Sequence, residues 1–128
     1  MDYYRGTETI LLVDDEESLR GVVVDFLGQL GYRMLSAANG TEALQVAHAY
    51  PAKIDLLLTD VVMGDLPGPE LAQRLADSRP DMKVVFISGF ADGSLAPGGV
   101  LTPGTVLVQK PFTIKTLSAR IRQVLEAA

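Results

Sequence analysis

Four uninterrupted apolar runs, with a weaker fifth, constrain this chain more than any other feature. They are Ile10-Leu11-Leu12-Val13, Leu56-Leu57-Leu58, Val84-Val85-Phe86-Ile87 and Val106-Leu107-Val108, with the weaker one at Tyr32 to Ser36. A strand with one wet face alternates apolar and polar residues. Runs without alternation mean burial on both faces, as in parallel strands covered by helices. Between the runs the period changes. Leu19, Val23, Phe26, Leu27 and Leu30 recur at helical spacing, as do Ala43, Leu44 and Ala47, then Leu71 and Leu75, then Leu117, Ile121, Val124 and Leu125. Each set draws one apolar stripe to lay on a sheet. Gly31 is placed to stop the first helix, and Thr113 to cap the last. The pattern is βα repeated five times. Right-handed crossovers turn that pattern into a doubly wound parallel sheet, although alternation alone leaves the strand order open.

The fourth repeat is the exception. Residues 89 to 104 hold five glycines and two prolines in 16 positions. Interior Gly costs about 1 kcal/mol against Ala in a helix, and interior Pro about 3. The fourth helix is therefore expected to be short or missing.

Polar residues fall where the runs end. Asp14 and Asp15 follow the first, Asp60 the third after Thr59, Ser88 the fourth, and Lys110 the fifth after Gln109. Open α/β sheets bind their ligands outside the carboxyl ends of the strands. If the first and third strands are neighbours, three carboxylates meet there. Two of them about 4 Å apart repel by roughly 4 kcal/mol at an effective dielectric near 20. Such a cluster holds a proton or a hard divalent cation, and Mg²⁺ takes oxygen ligands and pairs with phosphate oxygens. A carboxylate nucleophile, a metal, a lysine and a hydroxyl are the parts of phosphoryl transfer to aspartate. The metal and lysine would neutralise charge on the transferring oxygens.

Composition narrows the classes. A net charge of −5 over 128 residues argues against a nucleic-acid-binding face, and the absence of cysteine excludes disulfides and thiolate metal sites. No apolar run approaches a membrane span, and the first nine residues lack a signal-peptide pattern. A cytoplasmic domain, without membrane contact, is expected.

At the strand ends the sequence closely resembles the receiver domain of bacterial two-component response regulators. The matching stretches are Leu12-Val13-Asp14-Asp15-Glu16, Leu58-Thr59-Asp60-Val61-Val62-Met63, Ile87-Ser88-Gly89 and Gln109-Lys110-Pro111-Phe112. Together, in order and spacing, they are specific over nearly the whole chain. The resemblance implies a flavodoxin-like (βα)5 fold with strand order 2-1-3-4-5, a receiver unit at 9–127 and an N-terminal extension at 1–8. It implies Asp60 as phosphoacceptor, Asp15 and Asp60 as Mg²⁺ ligands with Asp14 beside them, and the Val62 carbonyl as a further ligand. Ser88 and Lys110 would contact the phosphoryl group, and Lys110-Pro111 would be cis. The phosphodonor would be a histidine kinase or phosphotransfer protein, and the domain a monomer or weak dimer. The Gly6-Thr7-Glu8-Thr9-Ile10, Ser88-Gly89-Phe90 and Gln109-Lys110-Pro111-Phe112 wording is most like receivers attached to hybrid sensor histidine kinases. By itself such a domain is no ordinary enzyme. It catalyses its own phosphorylation and dephosphorylation, and the sequence leaves open whether the chain is a fragment of a hybrid sensor histidine kinase.

Two further positions depart from the family. Gly64 stands where proline is usual, which should loosen the loop after Asp60. Leu107 stands where many receivers carry an aromatic switch residue. Blander readings compete at single positions. Glu16 and Glu17 read as an acidic first helical turn, Phe112 as packing, and His48 as surface. A receiver-like interaction module that takes no phosphate is the alternative function, opposed by the intact Asp14, Asp15, Asp60, Ser88 and Lys110 set. A flavodoxin-like cofactor binder lacks the phosphate-cradling glycine motif it would need.

Overall fold

The computed structural model describes residues 5–89 and 106–127. Five strands form one parallel sheet: β1 (Thr9–Val13), β2 (Arg33–Ala37), β3 (Leu56–Asp60), β4 (Lys83–Ser88) and β5 (Val106–Gln109). Their order is β2-β1-β3-β4-β5. Four helices are described: α1 (Glu17–Gln29), α2 (Gly40–Ala49), α3 (Gly68–Ser78) and α4 (Ile114–Glu126). The expected short or missing helix between β4 and β5 lies outside the described residues.

The apolar runs behave as their pattern requires. Every residue of β1 and β3 is buried, because each has a strand on both sides and helices on both faces. The edge strands β2 and β5 are only partly covered, which is why β2 is the weakest run in the sequence. Side chains alternate between two cores. Ile10, Leu12, Leu56, Leu58, Val85, Ile87 and Val108 meet Val23 and Leu27 of α1 and Leu117 and Ile121 of α4. Leu11, Val13 and Leu57 meet Ala43 and Ala47 of α2 and Leu71 and Leu75 of α3.

The helix stripes hold with one correction. Phe26 is 42% exposed. It comes three residues after Val23, so it falls about 60° off the centre of the stripe. Gly31 follows the C-cap of α1 with φ 108°, a left-handed turn that a side chain would strain. The Thr113 hydroxyl accepts from the Thr116 backbone N–H at 3.0 Å and caps α4.

Candidate functional site

Strand register brings the polar residues to one edge. Val13 lies beside Thr59, Asp60 beside Ile87 and Ser88 beside Gln109. Asp14, Asp60, Ser88 and Lys110 therefore emerge from four strand ends at nearly one level. The Asp14 backbone N–H donates to Ala37 O at 3.2 Å, and the Lys110 N–H donates to Ser88 O at 2.7 Å. The Lys110-Pro111 bond is cis.

Carboxylate oxygens of Asp14, Asp15 and Asp60 lie within 4.8 Å of one another. Asp14 and Asp60 are buried, whereas Asp15 faces solvent. Asp14 Oδ1 accepts from the Glu16 N–H at 2.8 Å, which fixes the turn into α1. Its other oxygen, Oδ2, is buried with no hydrogen-bond partner. Lys110 Nζ stands 3.5 Å from Asp14 Oδ2, from Asp60 Oδ2 and from Glu16 Oε1. These are long for charged hydrogen bonds, which run nearer 2.8 Å. One ammonium is thus shared among three acids and belongs closely to none.

The electrostatics follow. Burial, helped by the neighbouring charge of Asp14 and opposed by Lys110, pushes the Asp60 carboxyl up to about 7. Burial pulls Lys110 down, but the charges of Asp14, Asp60 and Glu16 more than offset it and leave its pKa raised. Two buried acids with one distant lysine form a site short of positive charge. An orphaned buried carboxylate oxygen in an all-oxygen donor set fits a hard divalent cation such as Mg²⁺. The Ser88 hydroxyl is buried and donates to Gly89 O at 3.1 Å. Val62 is 57% exposed.

Some sequence readings change. Glu16 is not merely an acidic helix turn, because it is the third acid around Lys110. His48 is exposed on α2, and Phe112 packs against the α1/α4 core, both as expected. Leu107 is half-buried beside Phe86. Three features escape sequence reasoning. Gly68 opens α3 against the backbone of Asp60, and a Cβ there would overlap the Asp60 carbonyl oxygen. The Gly-Pro pair at the helix start is the available signal. Asp65 accepts from the N–H groups of Gly40 at 3.2 Å and Thr41 at 3.0 Å, tying the loop after Asp60 to α2. Hydrogen bonds from Thr41, then Gly40, hold its carboxyl low, at about 2. Its neighbours Met63 and Leu66 are buried, so the loop is anchored on both sides of Gly64. Arg79 donates to the carbonyls of Ala47, Tyr50 and Ala52 and closes the C-terminal end of α2. Nothing in local sequence announces that bond.

Residues 10–122 match the sequence model of the response regulator receiver domain. The sensor kinase CckA of Brucella abortus is 35% identical over 94% of this chain, which spans 13% of that protein. The response regulator receiver protein CpdR of the same organism is 36% identical over 93% of this chain and 98% of its own length. A crystal structure of the receiver domain of the hybrid histidine kinase CckA superposes with a TM-score of 0.77 at 36% identity, covering 92% of this chain and 99% of that one. With its family motifs at the ends of a sheet ordered 2-1-3-4-5, the chain belongs to the receiver domains of two-component signalling.

Proposed function

We propose that the unit at 9–127 is a working phosphoacceptor, taking a phosphoryl group from a phosphohistidine onto Asp60. The observation that carries this reading is the shared lysine. Asp60 sits at a strand end, within 4.8 Å of two further acids, with Lys110 Nζ 3.5 Å from its Oδ2. Asp60 offers a carboxylate oxygen as nucleophile. Lys110 has only to shift from its distant partners to reach a phosphoryl oxygen. The Ser88 hydroxyl turns from Gly89 O to donate to another. Asp14, Asp15 and Asp60, with the Val62 carbonyl, would hold Mg²⁺, which neutralises negative charge on the transferring group.

The donor is a histidine kinase or phosphotransfer protein, and the compartment is the cytoplasm. No helix of the described residues is long and apolar enough to cross a membrane. The relatives place such domains both within a much longer sensor kinase and nearly alone in a chain. Membership of a relay fed by a hybrid kinase follows as part of the same proposal. Incubation with acetyl phosphate and Mg²⁺, read by intact mass, tests it. Wild-type protein gains one phosphate and Asp60→Asn gains none. Equal labelling of the variant overturns the assignment.

A further inference from the structure

The carboxylate of Glu16 makes no capping hydrogen bond to its own helix. Glu16 is the N-cap of α1, a position whose side chain ordinarily accepts a backbone N–H of the first turn. It makes no such bond. Its main chain is committed to the helix, donating its N–H to Asp14 Oδ1 at 2.8 Å and accepting from the Arg20 N–H at 2.9 Å. Its side chain turns away and stands 3.5 Å from Lys110 Nζ.

The three acids around that ammonium differ in place. The Asp14 and Asp60 side chains are 1% and 9% exposed and belong to the carboxylate cluster. The Glu16 side chain is 57% exposed and stands outside the cluster. Asp14 and Asp60 draw the lysine inward, over the oxygens a cation would use. Glu16 draws it outward, to the rim. An ammonium settled between the two aspartates is itself a counter-ion, and it competes with any incoming metal for the same oxygens.

We infer that Glu16 is a positioning residue for Lys110, its outward pull keeping the ammonium 3.5 Å off Asp14 and Asp60 so that their oxygens stay open to a divalent cation. The inference rests on the proposed Mg²⁺-assisted site. It makes the lysine a movable group with two berths, one shared among the three acids and one at the phosphoryl group. A bare negative charge near the site would also favour a cation, so the test separates the two by asking whether the effect passes through Lys110.

Calorimetric titration with MgCl₂ is run on the full chain, on Glu16→Gln, on Lys110→Met and on the double variant. Glu16→Gln weakens Mg²⁺ binding about fivefold while Lys110 is present, and less than about twofold once Lys110 is replaced, a coupling of ordinary size. Equal weakening in both backgrounds makes Glu16 a bare charge and overturns the inference, as does unchanged affinity in both. Wild-type protein that binds no Mg²⁺ overturns the site reading itself, and with it the inference. That outcome differs visibly from a failed coupling.

Discussion

The two ends of the β-sheet both carry charge, and they treat it in opposite ways. At the end where β1 begins, Arg122 of α4 donates to Glu8 through two bonds, at 2.9 and 2.7 Å. It also donates to the Tyr32 hydroxyl at 3.1 Å and to the Arg5 carbonyl at 3.2 Å, and pairs with Glu126 at 2.8 Å. Arg122, Glu8 and Glu126 each have a close partner of opposite charge. The hydrogen bonds from Arg122 hold the Glu8 carboxyl down at about 2, and the same bonds raise the Arg122 pKa. At the other end, three acids share one lysine at 3.5 Å, and Asp60 is pushed up to about 7. The first cluster fastens residues 5–8 to the last helix. The second stores repulsion that a cation can relieve. The domain thus keeps its unsatisfied charge at the edge that carries the carboxylate cluster and its satisfied charge at the far one.

The contrast can be broken first through geometry. Gly68→Ala drives a methyl into the Asp60 carbonyl, which is backbone and has little room to yield. Overpacking of this kind costs about 3 kcal/mol. Thermal melts should show a larger loss for this variant than for any substitution among the charged residues at either end of the sheet. If α3 shifts instead, phosphorylation should suffer more than stability, because Asp60 moves with it.

The far end is next. Arg122→Ala leaves Glu8 and the Tyr32 hydroxyl without their donor, at a cost of about 2 kcal/mol by the usual worth of charged hydrogen bonds. For a domain of this size that lowers Tm by roughly 6–10 °C. Metal affinity at the opposite edge should not change. A matching loss of Mg²⁺ binding would show that the two ends are coupled.

Asp60→Asn should do the reverse and stabilise the metal-free protein, by roughly 1–2 kcal/mol at pH 8, because it removes one of two repelling buried acids. The two ends also give opposite pH dependence. Glu8 is depressed from 4.5 to about 2, so its contribution is present above about pH 4.5 and is lost as pH falls through 2. Asp60 is raised from 3.8 to about 7. The folded state holds that proton more tightly, so its contribution is present below about pH 4 and is lost as pH rises through 7. Metal-free wild type should therefore lose stability between pH 4 and 7, and Asp60→Asn should lose less. Parallel melting curves for the two proteins across that range would show that neither burial nor the charge of Asp14 holds the proton on Asp60.

The fold is legible in the sequence because burial on both faces leaves a mark no surface strand leaves. β1 and β3 can be read directly from their runs, and β2 is faint because it is an edge. Strand order comes from the resemblance, since alternation does not encode it. The main site residues can be read because each lies within two residues of the end of an apolar run. Asp14, Asp15, Asp60, Ser88 and Lys110 all reach one edge, as strand periodicity requires. What the sequence hides is pairing across distance. Arg122 with Glu8, Asp65 with α2 and Glu16 with Lys110 join residues by tertiary register, and each reads locally as an ordinary surface charge. Phe26 misleads for a related reason. A stripe gives the direction of a helix face but not the width of sheet beneath it.

The smallest effect tests how open the working end is to water. Hydrolysis of an acyl phosphate on Asp60 needs a water in line with the departing aspartate oxygen. Two residues beyond Asp60, Val62 is 57% exposed, and its side chain offers that water no hydrogen bond. Phe90, two beyond Ser88, lies outside the described residues. We expect slow self-dephosphorylation, in keeping with a relay that passes its phosphate on. Val62→Asn places a donor and an acceptor where the valine stood, at little cost to a core it does not join. Positioning one water is worth about 1 kcal/mol, so phosphate loss should speed up a few-fold. The decay of the phosphorylated mass after removal of acetyl phosphate measures it. Unchanged or slower decay would mean that water placement at this position does not limit hydrolysis, and that the slow step lies with the groups holding the phosphoryl oxygens, Lys110 and Ser88.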